Sequence, residues 1–414
     1  MLRVGAQVAR HTARRALSGG PAAGAAGGKL LIWGTNEDRK LGFDDAEDRE
    51  LPAELPDFRE VSALSVSCGK RHTAALCADG RVLTWGSNAY GQLGHGAASP
   101  KGKGPEAVAF EEGTKIAQVS CGEFHTAAVT EDGRVLTWGY GGSFFAGPGG
   151  LGLSTGGTVL KPTPVKGFGP GEAEQAVAVS AGAYHTIART LAGSVYSWGR
   201  GEWGRLGHGS STSYDEPLRV EQLVDVGCVD CIAREFHSVS LDTSGRVYTW
   251  GRNEHWQLGY EVGGFLNSGS AFDAQLEPML VPLVPEGAAA DAEPVGGGRE
   301  GVLIGASDHG TAFVLRDRKT VLVWGFNKFF EPTPLPGTDR LDGPVVGVAC
   351  GDSHLLLLTE GGGVYTWGAG APVGVPQGER KQYTLARNEA LAAMPGRVLA
   401  VACGPSTSAA IVER

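Results

Sequence analysis

The chain has 414 residues, a formal net charge of −9, 42% apolar and 20% charged residues, and 66 glycines. No 18 apolar residues run together, which argues against a membrane-spanning helix, while the apolar share suffices for a large core. Glycine at about twice ordinary usage, with no collagen period, suits many short strands joined by tight turns. The seven cysteines are an odd number spread along the chain, which fits neither a secreted disulfide scaffold nor a zinc ribbon. Only Cys228 and Cys231 form a CxxC, and no second metal-ligand pair stands beside it.

In chain order, residues 1–28 come first. They carry Arg3, Arg10, Arg14 and Arg15 and no acid, the first acid being Glu37. On a helix Arg3, Gln7, Arg10 and Arg14 share one face, the pattern that mitochondrial import requires. The stretch Arg15-Ala16-Leu17-Ser18 resembles a matrix-protease cleavage site. The expectation is a presequence over 1–28 and a mature body over 29–414, located in the mitochondrial matrix. Loss of the four arginines takes the net charge from −9 to −13, which argues against direct binding to nucleic acid. Next, Glu37 to Glu60 holds ten acids against four bases, read as a solvated loop.

A repeat then fills the chain. A periodic Trp-Gly occurs at Trp33, Trp85, Trp138, Trp198, Trp250, Trp324 and Trp367, at intervals of 52, 53, 60, 52, 74 and 43 residues. Cys-Gly-x-x-His precedes all but the first, with motif histidines at His72, His125, His185, His237, His309 and His354. The spacing from His to the next Trp is the same in five of the six copies, as from His72 to Trp85, and two positions longer in the copy of His309. Between the two motifs an apolar strand, a turn such as Asp79-Gly80 and a returning strand are predicted. The 140–150 loop and the stretch from about Tyr260 to Arg299 are insertions between units. The first unit lacks Cys-Gly-x-x-His, and the chain ends on Cys403-Gly404 and a strand over Ser408–Val412 without Trp-Gly. Each terminus supplies what the other lacks. An all-β, closed seven-bladed β-propeller follows, with N- and C-terminal strands sharing one blade.

This succession of motifs resembles the regulator-of-chromosome-condensation repeat over residues 29–414. The resemblance implies the propeller, and it implies unrelated activities on one scaffold. One branch exchanges guanine nucleotide on the small GTPase Ran, using an acid at the first variable motif position of one blade and at the second of the next, helped by a loop wedge. Glu123 and the enlarged Tyr140–Gly150 loop match that first blade, but Tyr184 stands where the second acid is expected. A plant photoreceptor branch uses clustered rim tryptophans. No variable position here is Trp, and only Trp203 and Trp256 lie outside the seven periodic Trp-Gly pairs, which points away from light sensing.

The recurring histidines are predicted to brace strand turns through backbone hydrogen bonds, and the motif tryptophans to fill the core. No nucleophile–base pairing, phosphate loop or HExxH is present, so no enzyme, cofactor or metal is expected. The variable positions read Lys70-Arg71, Glu123-Phe124, Ala183-Tyr184, Glu235-Phe236, Ser307-Asp308, Asp352-Ser353 and Pro405-Ser406. Glu123, Phe124, Tyr184, Glu235, Phe236, Asp308 and Asp352 are the candidate partner-binding residues, an aromatic and charged set suited to a protein. The expected function is a non-catalytic scaffold for a protein or ribonucleoprotein assembly, such as a ribosome, its assembly factors or a respiratory complex. Exchange on a small or mitochondrial GTPase through Glu123 is the alternative, and an RNA-associated factor the second.

Overall fold

The computed structural model describes residues 27–143, 147–262, 274–283, 303–375 and 381–414. The predicted presequence lies almost wholly outside them. The 140–150 loop is described in part.

Seven four-stranded antiparallel sheets form the blades. Blade 1 is the seam: Lys29–Gly34 pairs with Thr407–Val412 on one side and Arg49–Glu54 on the other, and Val398–Gly404 completes it. Each remaining blade runs in chain order. Blade 2 is Ala63–Cys68, His72–Cys77, Val82–Asn88 and Ser99–Ala107; blade 3 starts at Ile116, blade 4 at Ala176, blade 5 at Cys228, blade 6 at Leu303 and blade 7 at Val345. The first strands of blades 2 to 7 touch in succession around the axis, and Val398–Gly404 touches Ala63–Cys68, so the ring is closed. No helix among the described residues is long and apolar enough to cross a membrane. The 260–299 stretch is not one insertion: Tyr260 is buried, and Ala274–Leu280 is the outer strand of blade 5.

The core lies between blades. Leu30 and Ile32 of blade 1 pack with Ala75, Leu83 and Trp85 of blade 2, and comparable clusters recur around the ring. The motif tryptophans are all fully buried or nearly so. Indole Nε1 of Trp33, Trp85, Trp198, Trp250 and Trp324 donates to a loop carbonyl of the preceding blade at 2.8–2.9 Å. Each of these tryptophans therefore ties one blade to another as well as filling space.

The glycine after each tryptophan is required by geometry. All seven have φ between +84° and +120°, and an added Cβ would lie 2.1–2.7 Å from a turn carbonyl. Gly251→Ala combines left-handed strain with a clash on the Phe236 carbonyl, 2.4 Å away. It should cost about 2 kcal/mol or more, read as a lower urea midpoint with unchanged slope.

The histidines brace blades against each other, which corrects the expectation of backbone hydrogen bonds within one turn. Nε2 of His72, His125, His185 and His354 meets Thr126, Thr186, Ser238 and Ser408 of the next blade at 2.7–3.0 Å. Those hydroxyls already donate their single proton to the carbonyls of Gln92, Gly150, Arg205 and Pro372. They can only accept from the ring, so Nε2 carries the hydrogen and Nδ1 is bare. His237 is equally buried, with neither ring nitrogen partnered.

His309 is a second correction. In blade 6 the strand-opening position is Gly310, which pairs with Gly325 as His354 pairs with Gly368. Gly310 accepts from Ser307 N–H as His354 accepts from Gly351 N–H. The ring of Phe326 fills the space where the missing side chain would stand, 2.5 Å from an ideal Cβ on Gly310. His309 is therefore a second variable residue, half-buried at the rim, and Asp308 a first one.

Candidate functional site

Two-residue turns between the first and second strands of each blade, and the loops after Trp-Gly, build one face of the ring. Correction of the blade 6 register makes the first variable residues Lys70, Glu123, Ala183, Glu235, Asp308, Asp352 and Pro405. All of them but Asp352 line a solvent-facing opening at the axis. Their charges are interlocked. Lys70 Nζ lies 3.1 Å from carboxylates of both Glu123 and Glu235, which come from different blades, and Arg71 adds a 3.7 Å contact to Glu123. Asp308 accepts from Glu235 N–H at 2.8 Å, and Asp352 accepts from Asp308 N–H at 3.2 Å.

Burial works to lower the Lys70 pKa, but the two glutamates more than reverse this and hold it charged. Burial also pushes Glu123 up, against the pull of Lys70. Asp352 is pushed well above the usual carboxylate range by burial, with Asp308 adding to the effect. Arg234 occupies the glycine position of its motif, and its Nε is buried without a hydrogen-bond partner. Among the described residues, no group of three or more His, Cys, Asp or Glu side chains is placed to hold a metal.

The second variable residues form an outer ring, and four of them meet a side chain from the loop of the preceding blade. Asp38 reaches Arg71 at 3.5 Å, while Tyr90 packs on Phe124, Trp203 on Phe236 and His255 on His309 with ring centroids 5.4, 5.0 and 4.2 Å apart. From blade 2 to blade 5 this ring is an arc of aromatic groups and arginines. Phe124, Tyr140 and Tyr184 cluster with Tyr90, the closest pair being Phe124 and Tyr184 at 4.9 Å. Arg200 lies over Tyr184 at 4.0 Å, and Arg205 and Arg252 each sit about 5 Å from Trp203 and Phe236. From blade 6 round to blade 1 the same positions hold His309, Ser353 and Ser406.

The seven candidate residues thus come to one face, divided into an inner acidic set and the aromatic residues Phe124, Tyr184 and Phe236. Tyr90, Tyr140, Arg200, Trp203 and Arg252 belong with them, with Arg205 fully buried beneath the rings, and none of these is singled out by the motif positions alone. A signal is present, because Tyr90-Gly91-Gln92-Leu93-Gly94 and Trp203-Gly204-Arg205-Leu206-Gly207 are one loop motif in two copies. Trp203 and Trp256, the two tryptophans outside the seven periodic Trp-Gly pairs, both stand on this side of the ring. Trp203 packs against Phe236, and Trp256 lies 4.5 Å from Phe330. In the blade that carries Glu123, the enlarged loop holds a two-residue ladder between Gly142–Ser143 and Gly147–Pro148.

Residues 29–331 match the RCC1-like domain, and residues 345–371 match the regulator of chromosome condensation (RCC1) repeat. The chain is similar to the ultraviolet-B receptor UVR8 of Arabidopsis thaliana, at 33% identity over 355 residues, covering 82% of this chain and 73% of that protein. It is 33% identical over 235 residues to the RCC1 domain-containing protein RUG3, mitochondrial, of the same plant; the match spans 56% of this chain and about half, 52%, of RUG3. Prp20p from Saccharomyces cerevisiae superposes with a TM-score of 0.76 at 18% identity, over 98% of this chain and 94% of that one, a likeness of fold.

Proposed function

The chain belongs to the regulator of chromosome condensation family, and from that premise we propose that it is a non-catalytic scaffold of the mitochondrial matrix that binds a protein or ribonucleoprotein assembly through this face. The arc of aromatic rings and stacked arginines from Tyr90 to Arg252 carries the reading. Tyr, Trp, Phe and Arg supply large contact area with few rotatable bonds, and they dominate the energetics of protein interfaces. A closed ring holds them rigid, which keeps the ordering cost of binding low. Other observations support the setting. The name of RUG3 places it in mitochondria. Prp20p, of the same fold, has been studied for binding to Gsp1p and histones. The basic, acid-free segment 1–28 points to import.

The geometry favours this reading over nucleotide exchange. Glu123, the residue that would disturb a phosphate and magnesium site, is only 8% exposed and is engaged by Lys70 and Arg71. The test is affinity purification of the tagged protein from isolated mitochondria at moderate and high salt. Stoichiometric recovery of one large complex is expected, with Glu123→Lys changing the yield locally at most. Recovery of a single GTPase, held best without nucleotide and lost in Glu123→Lys, would establish exchange instead. Absence of the protein from mitochondria would overturn the matrix assignment.

A further inference from the structure

One joint of the ring is built differently from the rest. Six of the seven motif tryptophans have a loop glycine of the preceding blade against the indole. Gly207 stands so against Trp250 and Gly374 against Trp33, where an added Cβ would lie 2.8 and 2.6 Å from Nε1. Trp367 of blade 7 is the exception, because blade 6 has no such loop. Gly325, which follows Trp324, pairs directly with Phe329 of the outer strand, and Lys328 N–H closes the turn on the Gly325 carbonyl at 3.0 Å. The acceptor for the indole is missing, and Nε1 of Trp367 is buried without a partner. Leu355 pairs with Trp367 as Thr186 pairs with Trp198, and it carries no hydroxyl to share such an acceptor.

A cation stands where the loop would be. Lys328 Nζ lies 4.3 Å from the ring centroid of Tyr383, 5.5 Å from Phe329 and 5.6 Å from Trp367. The rings come from the outer strand of blade 6 and two strands of blade 7, and the centroids of Phe329 and Tyr383 are 6.0 and 6.2 Å from that of Trp367. Among the described residues no ion pair or side-chain hydrogen bond engages Lys328, so the ring faces hold its ammonium. Lys328 and Tyr383 are exposed, Phe329 is half-buried, and Trp367 is buried behind them. An ammonium held only by rings at an exposed site is weakly bound and can be displaced.

We infer that Phe329, Trp367 and Tyr383 form a cage for an N-methylated lysine of a partner peptide, with Lys328 as its resident occupant. The resident shows that a lysine stem reaches the rings and that an ammonium sits among them. Methylation selects the ligand. A plain lysine meets a tethered competitor of its own kind, whereas an alkylated ammonium is the cation that aromatic cages prefer. The cage lies outside the aromatic arc and does not rest on the scaffold reading, so either can fail alone.

The probe is a short peptide carrying one trimethyllysine, titrated calorimetrically into the full-length protein. Two control peptides carry unmodified lysine, or a neutral tert-butyl group in place of the trimethylammonium. Lys328→Ala vacates the cage and should bind the trimethyllysine peptide about tenfold more tightly than the parent does, because a tethered competitor is gone. It should prefer that peptide about tenfold over the tert-butyl one, which matches its shape and lacks its charge. Adding Tyr383→Ala to Lys328→Ala should weaken binding about tenfold through loss of the nearest ring. Both replaced side chains are exposed, so thermal melts should match the parent and separate ligand loss from unfolding. No binding of the trimethyllysine peptide by the Lys328→Ala protein, equal affinity for either control peptide, or affinity unchanged by Tyr383→Ala overturns the cage.

Discussion

Lowering the pH from 6.5 to 5.5 should remove about 3 kcal/mol of folding stability. The cause is the set of histidines between the blades. Burial pushes His72, His237 and His354 down to about 3 and His125 to about 4, and holds His185 well below its ordinary value. Their unfolded pKa is near 6.5, so below that pH the unfolded chain binds protons that the folded ring refuses. Their contribution is complete above pH 6.5 and is lost as the pH falls toward 4 and 3. Each such histidine removes roughly 1.4 kcal/mol per pH unit once fully titrated in the unfolded chain.

Buried carboxylates act in the opposite sense. Burial raises Asp230 to about 7 and also raises Asp352 and, less, Glu123, so the folded state takes up protons near neutrality that unfolded carboxylates would not. Their effect is to stabilise as the pH falls from 7 toward 4. Five histidines outweigh two strongly shifted aspartates, and acid wins as a denaturant. Against a total stability of about 5–15 kcal/mol, the ring should unfold cooperatively between about pH 5.5 and 4. Urea titrations at half-unit pH intervals, followed by tryptophan fluorescence, measure this directly. A stability that is flat between pH 6.5 and 5.5 would mean that the histidines are reached by water, contrary to their 0% exposure.

What can be read from sequence is what repeats. Trp-Gly and Cys-Gly-x-x-His each mark a site with one backbone requirement and one packing partner, and their constant spacing is the spacing of a strand pair. That is enough to count blades and to find the seam between the termini. The blade 6 error arises from the same logic. His309 lies near the expected distance before Trp324, yet the strand opens on Gly310, because Phe326 supplies the missing ring from the opposite side of the turn. A motif residue can be replaced by a neighbour in space, and sequence spacing does not register that.

The face itself is half legible. The variable motif residues have to point away from the core, since the motif on either side of them is buried. Their partners come from the loop of the preceding blade, as Tyr90 of blade 2 does for Phe124 of blade 3. Only ring closure with a fixed angle between blades brings the two together. The same holds for Lys70, whose contact with Glu235 crosses the axis. No local pattern encodes a contact made by the curvature of the whole ring.

Partner binding should depend most steeply on Phe124 and Tyr184. These rings touch each other at the centre of the arc, with Tyr90 and Tyr140 around them and Arg200 stacked on Tyr184. Both are half-exposed, so their truncation leaves the core between blades intact, and the melting temperature should move little. At an interface, a central aromatic group of this kind is worth about 2 kcal/mol or more on truncation, roughly a 30-fold loss of affinity. Phe124→Ala and Tyr184→Ala should each show that loss. The double variant should fall short of the product of the two, because each ring is part of the other's support. Tyr383, 51% exposed, lies on the outer strand of blade 7 away from the arc, so its alanine variant should bind as the parent does. Retention of the proposed partner on immobilised variants, measured as dissociation rate, separates the cases. Equal rates for Phe124→Ala and Tyr383→Ala would remove the arc from the interface. A loss confined to Tyr383→Ala would place binding on the outer wall of the ring, where backbone edges and not stacked arginines are on offer.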